Sequence, residues 1–264
     1  MNRKPEVSVI IPCYNHGQYI DEAVDSVLAQ TFQNFEINIV NDCSTDGSEK
    51  QINAQLLKDP RIHVINHEVN KGLPASRNTG IRPALGRYIS TLDADDTFVP
   101  DALMKCYKAI NFMNLDIIYY AVQEFGTSHN ILKAMPYNFD RLLLGNFMPS
   151  SIFFFKKHWE EIGGYNETMT DGYEDWEFNI HMGEHGHFGL PIKEPLLNYR
   201  VKEVSMVTEA RKIHMKIYNK IKLIHKETYD RRNQATDSDG IRRISEAESG
   251  LRRTLEEFEE AKTG

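Results

Sequence analysis

Residues 7–47 read VSVIIPCYNHGQYIDEAVDSVLAQTFQNFEINIVNDCSTDG, and the changes of hydrophobic period inside this stretch decide the fold class. Residues 7–11 are a continuous apolar run, as a strand buried on both faces requires. Residues 18–30 then place Ile20, Val24, Val27 and Leu28 on one helical face. Residues 35–40 return to strand character and 46–57 to helix. The same alternation predicts strands at 61–66, 88–92 and 116–121, with helices at 74–85 and 101–113 between them. Strands and helices alternating over short connections predict an α/β fold with a mainly parallel sheet flanked by helices.

The rhythm breaks beyond residue 122. Residues 123–151 contain Gly126, Pro136, Gly145 and Pro149 with no clean period, so they read as loop and short helix, a segment suited to shaping a substrate pocket. A buried strand follows at 152–155, a short helix at 156–162 closed by Gly163 and Gly164, and a helix at 174–184. The tail from 209 changes composition. Ile213, Ile217, Ile221 and Ile224 make a helical stripe inside the basic stretch 211–232. This stripe reads two ways: a helix packing its isoleucines on the body of the protein, or a basic face lying on an anionic membrane. After a polar break at 233–240, a second apolar stripe in 241–262 offers a surface for oligomerisation.

Composition narrows the class. The chain has 264 residues, 41% of them hydrophobic and 26% charged, which suits a globular protein rather than a disordered one. Its formal charge of −7 argues against nucleic acid as a partner bound through bulk positive charge. No apolar run approaches the ~20 residues of a membrane-spanning helix, and residues 7–11 are too brief for a signal-peptide core. The three cysteines, Cys13, Cys43 and Cys106, form no CxxC pair and predict neither a disulfide framework nor a cysteine zinc site. These bounds lead us to expect a cytoplasmic enzyme.

In an open parallel sheet, ligands bind beyond the carboxyl ends of the strands. Those positions carry Pro12-Cys13-Tyr14-Asn15-His16-Gly17, then Asn41-Asp42-Cys43-Ser44-Thr45-Asp46-Gly47, then Asn70-Lys71-Gly72, then Asp93-Ala94-Asp95-Asp96. The first is not GxGxxG, which disfavours a dinucleotide held on a glycine turn. Taken alone, Asp93, Asp95 and Asp96 read as a turn and helix cap. Three neighbouring carboxylates repel one another unless a cation or donors offset them, and oxygen ligands of this kind suit Mg²⁺ or Mn²⁺. Lys71 and Arg77 are suited to phosphates or a base edge, or are plain surface charges.

The pattern as a whole resembles the GT-A-fold glycosyltransferases, and among them the inverting family 2. The matching stretches are residues 7–48, NKGLPASRNTGI (70–81), GRYISTLDADD (86–96), GGYNE (163–167) and GYEDWEF (172–178), in the family's order across about residues 5–200. The resemblance implies a Rossmann-like GT-A catalytic domain over 1–208, with a nucleotide-binding part near 1–122 and an acceptor part near 123–208. Residues 209–264 then form a helical C-terminal extension. It implies Pro12, Tyr14 and Asn15 against the nucleotide base, Asp42 on the uracil imide, Lys71 and Arg77 as basic contacts to the nucleotide, and Asp93 on the ribose. Asp95 would hold a divalent metal, Mn²⁺ or Mg²⁺, and Asp175, in the Glu174-Asp175 pair, would be the catalytic base. The implied donor is a UDP-sugar, and the acceptor a glycan or lipid-linked hydroxyl, as in polysaccharide biosynthesis at the bacterial cell surface. A lipid-linked acceptor would bring the chain to the inner face of the membrane.

Two departures from the family stand out. Asn41 occupies a position where relatives often carry an acid. In Asn198-Tyr199-Arg200-Val201-Lys202, Lys202 stands in place of the histidine of the family's YRxH segment. It is either a direct contact to the diphosphate, with metal dependence weakened, or an exposed loop charge. His181, His185 and His187 lie close in sequence but without HExxH, and read as a histidine cluster rather than a zinc site. Two other functions compete. A nucleotidyltransferase would carry a glycine-rich phosphate loop where Pro12-Cys13-Tyr14 stands, and a catalytically silent sugar-nucleotide-binding scaffold would not need Asp93, Asp95 and Asp175.

Overall fold

The computed structural model describes residues 4–113, 115–203 and 205–232. Its elements run β1 (Val7–Cys13), α1 (Ile20–Leu28), β2 (Phe35–Asn41), α2 (Ser48–Gln55), β3 (Ile62–Asn66), α3 (Leu73–Ile81), β4 (Tyr88–Thr91), β5 (Thr97–Phe98), α4 (Ala102–Met113) and β6 (Ile117–Gly126). They continue with β7 (Ile131–Leu132), α5 (Phe139–Leu142), β8 (Phe153–Phe155), α6 (Lys156–Ile162), α7 (Glu174–Glu184) and β9 (Gly189–Val201). Three helices close the described chain: α8 (Met206–Lys212), α9 (His214–Ile224) and α10 (Lys226–Arg232). One sheet joins the strands in the order β3-β2-β1-β4-β8-β6-β9-β5, with β7 added on β6. The pairs β2–β3, β1–β2, β1–β4 and β6–β9 are parallel. Insertion of β8 between β4 and β6 adds antiparallel pairs, so the α/β sheet is mixed in its second half.

Both faces of the sheet are covered. Every residue of β1 and β2 is buried, which explains why these strands are mainly apolar. Val9 and Ile11 pack with α1, α2 and α4 on one face, while Ile10 packs with α3, α6 and α7 on the other. The polar residues inside these strands have partners. Glu36 accepts from Ser8 Oγ at 2.6 Å and Asn38 donates to the Gly80 carbonyl at 2.9 Å. Gly80 is tolerated inside α3 because a Cβ there would lie 2.6 Å from Ile10, so its absence lets the helix sit flush on β1. Trp176, Phe178, Ile180 and Met182, spread around α7, are all buried, so α7 lies inside the protein.

The strand β9 is a departure from the expected elements. Pro191 and Pro195 interrupt its pattern and remove ladder donors, and the pairing with β6 slips in register around Ala121. The 13-residue strand survives because β6 supplies a long parallel partner and β5 a short antiparallel one.

The basic stripe is three helices rather than one, and its isoleucines divide. Ile217 and Ile221 are fully buried in the second core, while Ile213 and Ile224 stand exposed at the joints. Burying two isoleucines is worth roughly 3–6 kcal/mol, which accounts for docking on the body of the protein. Several of the bases pair with acids, Lys216 with Asp171 and Arg232 with Asp140 among them. No helix among the described residues is long and apolar enough to cross a membrane. The stripe in 241–262 lies outside the described residues.

His225, between α9 and α10, fastens this tail to α7. Its Nδ1 lies 2.8 Å from Glu184 Oε2 and its Nε2 3.4 Å from Glu177 Oε1. Burial opposes its charge, but the two carboxylates outweigh burial and push its pKa up to about 9. The pairing therefore contributes stability fully below the unfolded value near 6.5, and loses it as pH rises through about 9. We expect His225→Gln to lower stability by on the order of 2–4 kcal/mol at pH 6. The gap in Tm between the two proteins should shrink towards pH 10. A constant gap across that range would show that the loss comes from packing instead.

Candidate active site

β1, β2 and β4 run parallel, so their carboxyl ends at Cys13, Asn41 and Thr91 share one edge, and the polar loops follow there. Tyr14 is 44% exposed on this edge, whereas Pro12 is buried within β1 opposite Val40. Asn15 joins the first two loops: its N–H donates to Ser44 Oγ at 3.1 Å and its Oδ1 accepts from the Thr45 N–H at 2.8 Å. Asn15, Cys43 and Tyr173 are the non-glycine residues of positive φ among those described. Asn15 and Cys43 lie in these loops, and Tyr173 immediately precedes the Glu174-Asp175 pair. Strained backbone thus concentrates around the edge.

Asp42 is buried and heavily engaged. Its Oδ1 accepts from the Lys71 N–H at 2.8 Å and lies 2.7 Å from His67 Nδ1, and its Oδ2 accepts from the Gly72 N–H at 2.8 Å. His67 Nε2 in turn lies 2.9 Å from Thr79 Oγ1. Each carboxylate oxygen has about two acceptor positions, so one remains, on Oδ2. Asp42 therefore shapes the 70–72 loop, with one acceptor position on Oδ2 not used by these bonds. The Lys71 side chain on that loop is exposed. His67 was missed in the sequence; its only signal was a place just past a predicted strand end.

The carboxylates of the Asp93-Ala94-Asp95-Asp96 turn do not converge. Asp93 accepts from Arg77 Nη2 at 2.9 Å and from Ser150 Oγ at 2.8 Å. Asp96 is fully buried, with Oδ1 accepting from the Arg200 N–H at 2.8 Å and Oδ2 without a partner. Burial and then the charges of Asp95 and Asp93 raise its pKa well above the ordinary value. Asp95 Oδ2 lies 2.5 Å from Lys202 Nζ, which is itself 2.9 Å from His16 Nε2. β9 delivers Lys202 here: Thr97 and Phe98 pair with Asn198 and Leu197, which stitches the acidic turn to the end of that strand.

Arg77 differs from expectation. Foreseen as a contact to the nucleotide, it is 0% exposed. Nη1 donates to Glu174 Oε1 at 2.6 Å while Nη2 reaches Asp93, and the guanidinium also lies over the Tyr165 ring at 5.4 Å. Burial works against its charge, and Asp93 and Glu174 outweigh burial, raising its pKa. Arg77 is thus a clamp between the acidic turn and the first turn of α7, closed off from any ligand. Beside it, Asp175 is half-buried and accepts from Asn146 Nδ2 at 2.9 Å. Burial first, then the Glu174 charge, push its pKa up to about 7, with Arg77 opposing. Asn146 and Ser150, which hold Asp175 and Asp93, lie in the segment 123–151 that has no readable period.

The fit of a divalent cation at Asp95 is poor. A metal bonded to Asp95 Oδ2 and His16 Nε2 at about 2.1 Å would need the space that the Lys202 ammonium fills. Among the described residues, Asp116, His158 and His187 do bring ligand atoms within 4.8 Å of one another. They lie just before β6, just after β8 and just before β9, so the strand directions put them at the opposite edge of the sheet. The three histidines close in sequence are accordingly divided. His187 joins this group, while the His181 ring meets those of His185 and His225 edge-on. All three cysteines are free.

A family model described as "Glycosyl transferase family 2" matches residues 8–165. The chain belongs to glycosyltransferase family 2. It is 45% identical over 104 residues to a putative teichuronic acid biosynthesis glycosyltransferase, TuaG, of Bacillus subtilis, covering 39% of this chain and 41% of that protein. The chain spans less than half the length of the curated relatives it matches. Among solved structures, S. aureus TarS in complex with UDP-GlcNAc superposes with a TM-score of 0.68 at 20% identity, covering 78% of this chain and 61% of that one. The mannosyltransferase PcManGT from Pyrobaculum calidifontis, in complex with GDP-Man and Mn²⁺, gives 0.67 at 18% identity, covering 94% and 70%. At these identities the likeness is one of fold, and the fold is GT-A.

Proposed function

We infer that this family 2 glycosyltransferase transfers a sugar from a nucleotide-sugar donor to a glycan hydroxyl with inversion at the anomeric carbon. The observation that carries this is the Arg77 clamp, which holds Asp93 on the donor edge and Glu174-Asp175 on α7 by a single buried guanidinium. A base and a nucleotide-facing turn are thereby fixed relative to each other, as a single displacement needs. Asp175, with its pKa near 7, takes the acceptor hydroxyl proton. The acceptor oxygen bonds to the anomeric carbon as the bond to the diphosphate oxygen breaks on the opposite face, and that oxygen leaves with the electron pair. The Lys202 ammonium sits at Asp95, on the side of the leaving diphosphate.

On the donor side, exposed Tyr14 stacks on the base, and the loops held by Asn15 and Asp42 frame it. The remaining acceptor position on Asp42 Oδ2 suits the imide N–H of uracil, and UDP-GlcNAc is the ligand of the TarS neighbour. PcManGT holds GDP-Man, so guanine is the alternative to test. The likeness to TuaG supports a cell-surface polysaccharide as acceptor.

Calorimetric titration of the full chain with UDP and with GDP tests the donor, followed by a turnover screen over UDP-sugars. UDP should bind at least about tenfold more tightly than GDP, a difference of about 1.4 kcal/mol. Preference for GDP would move the donor to a GDP-sugar, and failure of both to bind would remove UDP- and GDP-sugars as donors.

A further inference from the structure

We propose that Lys202 is a built-in cation for the leaving diphosphate, standing where a family 2 enzyme would place a divalent metal. This rests on the nucleotide-sugar reading above. An ammonium has three N–H donors and no acceptor. One reaches Asp95 Oδ2 at 2.5 Å and a second His16 Nε2 at 2.9 Å, which leaves the third for a phosphate oxygen. The side chain keeps 25% of its surface, so a ligand can reach it, yet both of its partners hold it in place.

Its surroundings are built rather than incidental. Arg200, two residues earlier, donates from Nε to the Asp95 carbonyl at 3.0 Å and from its backbone N–H to Asp96. The Arg200 guanidinium lies over the rings of Tyr19 at 4.4 Å and Phe125 at 4.3 Å. The Lys202 ammonium itself lies 5.4 Å from the Tyr19 ring centroid. The end of β9 is therefore pinned on the acidic turn, and the ammonium is delivered to a fixed point rather than left on a mobile loop.

That point is where the sequence departs from the family, a lysine standing at the histidine position of YRxH. The substitution puts a fixed cation in place of an imidazole, and the structure sets that charge on Asp95, the carboxylate that the resemblance implies for the metal. Two cations do not share that space. In the displacement, the electron pair of the breaking bond goes to the diphosphate oxygen. The Lys202 ammonium offsets the charge by a charge-assisted hydrogen bond.

The test is calorimetry of the full chain with UDP, GDP, CDP and ADP, each in excess EDTA and in Mn²⁺. For the parent we expect affinity for the preferred nucleotide to be the same in both within about twofold. Lys202→Met, uncharged and similar in length, should weaken binding in EDTA by about tenfold or more. Lys202→His should also bind weakly in EDTA, but Mn²⁺ should recover about tenfold, a response that mere loss of packing would not produce. Tenfold strengthening of the parent by Mn²⁺ would overturn the inference and leave the donor reading standing. Unchanged binding by Lys202→Met in EDTA would overturn it as well. Absence of binding by all four nucleotides in both conditions would take down the donor reading, and the inference with it.

Discussion

Replacing Asp175 by asparagine is expected to cut turnover by about 10²–10⁴, the usual worth of general-base assistance, while nucleotide affinity stays at the parent value. Asparagine keeps the shape and can still accept the hydrogen bond from Asn146, but it cannot take a proton. For the parent, the rate should rise with pH and level off above about 7, because the base form is the ionised one. Single-turnover rates across pH 5 to 9, beside calorimetry of the nucleotide, separate the two effects. Near-normal turnover by the variant, or a parent rate that falls as pH rises through 7, would remove Asp175 from the mechanism.

The same substitution has a second expected consequence. In the unfolded chain the carboxyl ionises near 3.8, but in the folded protein only near 7. The folded state therefore binds more protons between these values, and stability falls as pH rises through the window. Asp175→Asn should accordingly be more stable than the parent above pH 7, by on the order of a few kcal/mol in urea unfolding, and the gain should fade towards pH 4. Loss of activity together with gain of stability is the signature of a site held against its own folding preference.

Arg77→Met is expected to cost about 3–5 kcal/mol in stability, since it strands Asp93 and Glu174 beside a cavity with no counter-charge. Arg77→Lys retains the charge but not the two-pronged geometry, and should fall between the two. Urea unfolding measures the loss, and UDP titration of Arg77→Lys asks whether the residue acts on the ligand. A lysine variant of unchanged stability whose UDP affinity drops tenfold would restore the direct nucleotide contact foreseen from the sequence and sink the clamp.

The first half of the fold was legible because each of its elements buries its own face. A strand covered on both sides is mainly apolar, and a helix covering it repeats at 3.6 residues, so the elements from β1 to α4 follow from local pattern, except the two-residue β5, which is too short to show a period. The boundaries of α6 and α7 were equally readable, since glycines close the first and acids open the second. β9 was not, because Pro191 and Pro195 break the pattern that a strand shows by itself. Residues 123–151 were opaque for the same reason, and with them Asn146 and Ser150.

The sequence by itself determined the α/β class, the family, and the edge at which polar loops gather, because those depend on period and on motif order along the chain. Only the tertiary structure decided what each charged group does. Charge roles are set by distance and burial, which sequence spacing does not encode. Arg77 carries a cation's sequence signature whether it meets a phosphate or two acids, Asp93 and the buried Glu174, 16 and 97 positions away. Lys202 is a loop lysine until β9 folds back and sets its ammonium on Asp95.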